Sequence, residues 1–97
     1  MRFKWHPDAL DEFHSAALYY SLREIGLDAR FITEVEAAIE KAIESPGSWP
    51  LIDDLARKCR ANVFPYSVIY IDIEDFIVIV AVMHESRDPD YWKYRLE

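Results

Sequence analysis

The apolar residues change period several times along the chain, and each change marks an element. Arg2, Phe3, Lys4 and Trp5 alternate polar and apolar, which predicts a short strand with Phe3 and Trp5 on one face. His6-Pro7 ends it, and Pro7 followed by Asp8 suits a first helical turn, where proline sacrifices no hydrogen bond and a carboxylate meets the helix dipole favourably. Leu10, Phe13, Ala17 and Tyr20 then recur at helical spacing, with Asp8, Asp11, Glu12 and Ser15 off that stripe. Ile25-Gly26-Leu27 supplies a stop, and Asp28 can start the next helix. From Phe31 the stripe Val35, Ala38, Ile39, Ala42 repeats, with Glu34, Glu36 and Glu40 between, until Ser45-Pro46-Gly47 breaks it. The two helices are expected to pack antiparallel.

Residues 46–56, with two prolines, a glycine and Asp53-Asp54, read as a connecting loop. Three strands are predicted after it, at 57–64, 66–73 and 76–84, joined at Pro65 and at Glu74-Asp75 as an antiparallel meander. The run from Phe76 to Met83 lacks polar alternation, so the last strand is expected to be central and covered on both faces. A helical hairpin returns the chain to the end it left. The first strand is therefore expected antiparallel to the last, giving an α+β fold with a four-stranded antiparallel sheet in the order 1-4-3-2 and a short C-terminal tail. The strand around Pro65 becomes an edge, where a missing backbone donor does least harm. In the strand 66–73, Ile69, Ile71 and Ile73 fall on one face and Tyr66, Val68 and Tyr70 on the other. The helices are expected to cover the isoleucines and to leave the tyrosine face for a protein partner.

Composition narrows the class. The chain has 97 residues, 52% of them hydrophobic, enough for one domain over 1–97 and too few for two cores. A core this small makes a covering partner plausible from size alone. Cys59 is the single cysteine, which excludes an internal disulfide and a cysteine-based metal cluster. The opening residues hold no apolar signal region and the Phe76–Met83 run is too short for a bilayer, so a cytoplasmic protein without membrane contact is expected. A formal charge of -7 argues against binding a polyanion. Nearly all of that excess acid lies in 7–45, however, while Arg57-Lys58-Cys59-Arg60 and Arg87, Lys93, Arg95 form local basic groups.

Larger motifs then carry a resemblance. Arg57-Lys58-Cys59, Phe64-Pro65-Tyr66-Ser67-Val68-Ile69-Tyr70, Ile79-Val80-Ala81-Val82-Met83-His84 and Arg87-Asp88-Pro89-Asp90-Tyr91-Trp92-Lys93-Tyr94-Arg95 together resemble the RelE/ParE toxin family, in its plasmid-stabilisation subgroup. Ala16 to Tyr20, Gly26-Leu27, Phe31, Glu34, Val35 and Ala38 match that family's helical hairpin. The resemblance implies a toxin of a type II toxin-antitoxin system, held inactive by a co-encoded antitoxin in a complex that can assemble further. It implies one of two targets, DNA gyrase as for ParE or mRNA on the ribosome as for RelE, with an inactive homologue that only binds antitoxin as a third reading. No cofactor is implied.

RNA cleavage at a 2'-hydroxyl needs a base, an acid and cations for the developing charge. His84, Arg57, Arg60, Arg87 and Tyr91 are the residues that would supply them. Each has a plainer reading: His84 as a cap, Arg87 as an anchor for the tail, Arg57 and Arg60 as guards against edge pairing, Tyr91 as packing. Arg60-Ala61-Asn62-Val63 departs from the subgroup's leucines followed by basic residues, which favours the gyrase branch. Tyr66, Val68, Tyr70, Arg87 and Trp92 are the candidates for partner contact, Trp92 having packing as its plainer role. His6 and His14 lie at no ligand spacing, so no metal is expected.

Overall fold

The computed structural model describes residues 2–97, as two helices on one face of a four-stranded sheet. The elements are β1 (Arg2–Trp5), α1 (Pro7–Ser21), α2 (Leu27–Glu44), β2 (Ala56–Arg60), β3 (Tyr66–Ile73) and β4 (Phe76–His84), with a 3-10 turn at Lys93–Leu96. Their order in the sheet is β1-β4-β3-β2, as the pattern predicted.

Local chemistry sets the boundaries. His6 caps α1, its Nδ1 accepting from the Asp8 N–H at 3.1 Å, and Pro7 opens the first turn. Gly26 enters α2 at φ 86°, a left-handed conformation that costs a glycine nothing. The predicted strand 57–64 stops at Arg60, because Val63 turns to φ 73° and the Asn62–Tyr66 segment folds into tight turns around Pro65.

One strand direction differs from expectation. β1 runs parallel to β4, pairing Arg2 to Trp5 with Phe76 to Ile79, while the other neighbours are antiparallel. The reason lies in the helical hairpin: α1 starts beside Ile79 and ends beside Tyr66 and His84, so it continues the direction of β1, and α2 makes the return, from Leu27 at that end to Pro46 beside Tyr70. Leu51 bridges Arg57 antiparallel to β2, Ile52 N–H donates to Ala56 O at 2.9 Å, and Lys58 N–H donates to Pro50 O at 3.1 Å. The loop thus pairs briefly along the outer edge of β2 before the strand begins, and because α2 has already turned back, β2 runs parallel to β1, β3 opposite to it and β4 parallel again.

The faces differ as well. Val68 and Tyr70 are buried beneath the helices with Phe13, Phe31, Val35 and Ile39, and Tyr66 packs against the same cluster. Ile69 lies on the opposite face with Ala56, Val80, Ala81 and Met83, with Ile71 packed beside them. The tyrosine face is therefore the helix-facing side of the sheet, and the expectation that it stays uncovered is overturned. Helix α2 brings aromatic and β-branched side chains that take up rings: Phe31 meets Tyr66 at 5.1 Å and Phe64 at 5.3 Å. The other face is closed by the tail, whose Trp92 is 0% exposed.

The unbroken apolar run of β4 has a specific cause. Ile69 pairs with Ala81 but Tyr70 pairs with Ile79, so Val80 is an extra residue, a β-bulge. Ile77, Ile79 and Val82 join the helix-side cluster, while both Val80 and Ala81 face the tail. Alternation is shifted by one residue at the bulge, and no polar position falls between.

Candidate functional site

The bulge creates loose backbone groups that the fold must satisfy, because β1 is too short to reach them. Arg95 and Glu12 do so together. Arg95 Nη1 donates to Val80 O at 2.8 Å, and the Val82 N–H donates to Glu12 Oε1 at 3.0 Å. The two side chains also pair with each other at 3.0 and 2.7 Å, with the arginine side chain only 5% exposed. Burial alone would lower the guanidinium's proton affinity, but the Glu12 and Tyr94 bonds outweigh it and hold it above its ordinary value. Beside this pair the Tyr94 hydroxyl donates to Asp8, a bond that depresses the Asp8 carboxyl and ties the end of the tail to the start of α1.

Past this seal, a groove runs between the C-terminal half of α1 and the end of β4. One part, of about 280 Å³, is lined by Glu12, Ser15, Tyr19, Tyr66, Val82 and Arg87. The other, of about 360 Å³, is lined by Tyr19, Tyr20, Arg23, Leu27, Tyr66 and His84. Tyr19 and Tyr66 belong to both, so the two make one channel. Burial raises the hydroxyl pKa of both Tyr66 and Tyr20. Of the charged side chains on the channel, Glu12 is consumed by Arg95, which leaves Arg23 and Arg87 as cations beside His84. In a chain of formal charge -7 the groove is locally basic. α1 and the corner after it expose Leu18, Tyr19, Leu22 and Ile25, of which Tyr19 lines the groove, with Leu22 at 79% and Ile25 at 101% exposure. Scattered apolar residues are ordinary on surfaces, but four within two turns and a corner, one of them a groove residue, are a concentration of the sort that partners cover.

The residues proposed for RNA chemistry are only partly brought together. His84 and Arg87 line the groove. His84 crosses the sheet from Tyr66, whose ring meets its own edge-on at 5.0 Å, and its Nδ1 accepts from the Ser86 N–H at 3.0 Å. Arg87 lies over the Tyr91 ring at 3.9 Å, which fixes its direction. The Tyr91 hydroxyl is buried, and burial with the Glu12 charge raises its pKa. Arg60 is engaged by Glu85 at 2.7 Å. Arg57 sits further along β2, opposite Tyr70, and Nη1 donates to Trp49 O at 2.6 Å.

Among the candidates for partner contact, Tyr66 and Arg87 line the groove, whereas Val68, Tyr70 and Trp92 are core residues. The Tyr70 hydroxyl donates to Pro46 O at 2.6 Å and burial pushes its pKa up to about 12. The Glu12–Arg95 pair and the groove residues Tyr19, Arg23 and Leu27 escaped the sequence reading. A signal for the exposed apolar residues at the end of α1 was present: Leu18, Leu22 and Ile25 are more apolar residues than one buried stripe of α1 can use. Among the described residues no cluster of three or more His, Cys, Asp or Glu side chains is placed to hold a metal, and no helix is long and apolar enough to cross a membrane.

The chain with this two-helix, mixed-sheet fold and a basic groove at the end of β4 belongs to the toxin class of toxin-antitoxin systems, as its match to a family model shows. The family model for the ParE toxin of the type II toxin-antitoxin system, parDE, matches residues 3–89, and the chain belongs to that family. A solved structure described as the chromosomal ParDE TA system from P. aeruginosa shares the fold at a TM-score of 0.72 and 15% identity, over 87% of this chain and 95% of that one. No curated protein sequence gives a significant match.

Proposed function

We propose that this ParE-type toxin is neutralised by a co-encoded antitoxin that covers the α1 lip and the groove behind it, and that the free toxin acts on DNA gyrase. The observation that carries the antitoxin surface is the bare patch of Leu18, Tyr19, Leu22 and Ile25 beside the groove that holds Arg23, Tyr66, His84 and Arg87. An apolar segment with acidic flanks fits that combination, through burial at the lip and charge-assisted contact at the arginines. Both partners meet in the cytoplasm on this reading, and toxin and antitoxin can assemble into larger complexes.

Gyrase is favoured over mRNA by how the cations are used. Arg57 and Arg60 are each engaged away from the groove, and the Tyr91 hydroxyl is enclosed, so a phosphate in the groove would meet His84 with Arg87 and Arg23 alone. The presence of His84 and Arg87 in one channel is the feature that supports the second reading, a ribosome-dependent mRNA endonuclease. Purified protein incubated with gyrase, DNA and ATP is expected to accumulate cleaved DNA, and the His84→Ala variant is expected to do the same. Cleavage of mRNA on translating ribosomes, abolished by His84→Ala, would replace gyrase with the nuclease reading. Inertness in both assays, with antitoxin binding intact, would leave a homologue that only binds its antitoxin.

A further inference from the structure

The free edge of the sheet lies on the opposite side of the molecule from β2 and has a different character from the groove. Among the described residues β1 is hydrogen-bonded only to β4. His6 N–H donates to Ile79 O at 2.9 Å, so by strand alternation the peptide groups of Lys4 also turn toward β4 and those of Phe3 and Trp5 turn outward. Their side chains stand on the helix side, the Phe3 ring 5.8 Å from Trp5 and Trp5 stacked on Phe13 at 5.2 Å. Between this edge and α2 lies an open cavity of about 490 Å³, lined by Phe3, Thr33, Glu36, Ala37, Ile39 and Glu40. Phe3, Ala37 and Ile39 give it an apolar lining. Glu36 and Glu40, one turn apart on α2, are exposed and make no ion pair among the described residues.

We propose that this edge is a strand-addition site for an extended segment of a partner protein that turns apolar and basic side chains toward α2. Outward-facing peptide groups at Phe3 and Trp5 supply the backbone pairing, and the cavity takes an apolar side chain. The two carboxylates select the charge. A second copy of the chain is a poor occupant. Two β1 edges joined about a two-fold axis in a continuous sheet keep both helical layers on one side, and so set Glu36 and Glu40 against the same residues of the mate. An acidic segment or a nucleic acid meets the same repulsion. On the reverse face of the edge Arg2 and Lys4 are exposed, with the Lys4 ammonium 4.7 Å from the Phe76 ring centroid, a basic guard that resists indiscriminate edge pairing. The site is separate from the α1 groove and of opposite sign, and it does not depend on which target the toxin acts on.

The probe is a synthetic peptide that alternates threonine with valine and lysine, compared with the same peptide carrying glutamate in place of lysine. Binding of the lysine peptide to the intact chain is expected to slow amide exchange at Phe3 and Trp5 and to change Trp5 fluorescence. The glutamate peptide is expected to do neither. The double variant E36Q/E40Q, altered only on the surface, is expected to bind roughly fivefold to tenfold more weakly, the scale of two partly exposed ion pairs. Phe3→Pro removes an outward-facing donor without touching the β1–β4 ladder and is expected to abolish protection at Trp5; its folding is checked by circular dichroism. The proposal is overturned if the glutamate peptide binds as well as the lysine peptide, if E36Q/E40Q leaves the affinity unchanged, or if neither peptide protects the two amides. It is equally overturned if sedimentation shows the chain dimerising through this edge and excluding the peptide.

Discussion

Arg95 is the residue on which the C-terminal tail turns. It meets a carboxylate with two hydrogen bonds, caps the carbonyl of a bulge and lies 5.1 Å from the Tyr91 ring, all with its side chain nearly out of water. Removing one partner of such a pair leaves the other buried and uncompensated. Arg95→Ala is therefore expected to destabilise the chain by about 3–5 kcal/mol in urea unfolding, whereas Arg60→Ala, which breaks an exposed pair, is expected to cost under about 1 kcal/mol. Trp92→Ala empties the largest enclosed side chain of the tail and is expected to cost about 3–5 kcal/mol by the same measurement. Acid acts on the same layer. The Asp8 carboxyl is depressed by its bond to Tyr94, so the stability it contributes is present above its unfolded pKa of about 3.9 and lost as the pH falls through the folded value. Loosening of the tail, read from Trp92 fluorescence, is expected below about pH 4 and is expected to begin at higher pH in Tyr94→Phe.

At the level of elements, the two helices, the strands 66–73 and 76–84 and the sheet order followed from periodicity, because each is a local pattern enforced by burial of one face. What escaped was non-local. The relative direction of β1 and β4 depends on α1 running on from Ile79 toward His84 before α2 turns back, a crossing that is set by packing on the sheet and leaves no periodic signal. The assignment of faces failed because tyrosine and isoleucine are both able to fill a core, and only α2, with Phe31 set against Tyr66, decides which side is helix-covered. The bulge at Val80 was recorded in the sequence as missing alternation, which also reads as ordinary central burial. The site shares this division: Tyr66, His84 and Arg87 were legible from motif and chemistry, while the Glu12–Arg95 link joins residues 83 positions apart and leaves no local trace. Truncation before Tyr91 tests the tail as an element. It is expected to bare Ile69, Val80 and Met83 and to produce strong binding of a hydrophobic dye, with helix content retained.

On the scale of the whole molecule, both faces of the sheet are closed by the chain itself, one by the helices and one by the tail. The partner surface we propose therefore lies not on the sheet but at the end of α1 and its groove, where four apolar side chains remain in water and two arginines line the channel. The acidic charge of the chain is distributed elsewhere, chiefly on the helical hairpin, so a basic groove and an acidic cavity at β1 coexist on one small toxin of the ParE family. Growth on induction, with and without the adjacent reading frame that would encode the antitoxin, tests this account most directly. The wild-type chain is expected to arrest growth alone and to be rescued by that frame, while Leu18→Glu combined with Leu22→Glu is expected to fold, to arrest growth and to resist rescue. Equal rescue of both chains would contradict the placement of the antitoxin on α1, and normal growth under induced wild type alone would contradict the activity itself.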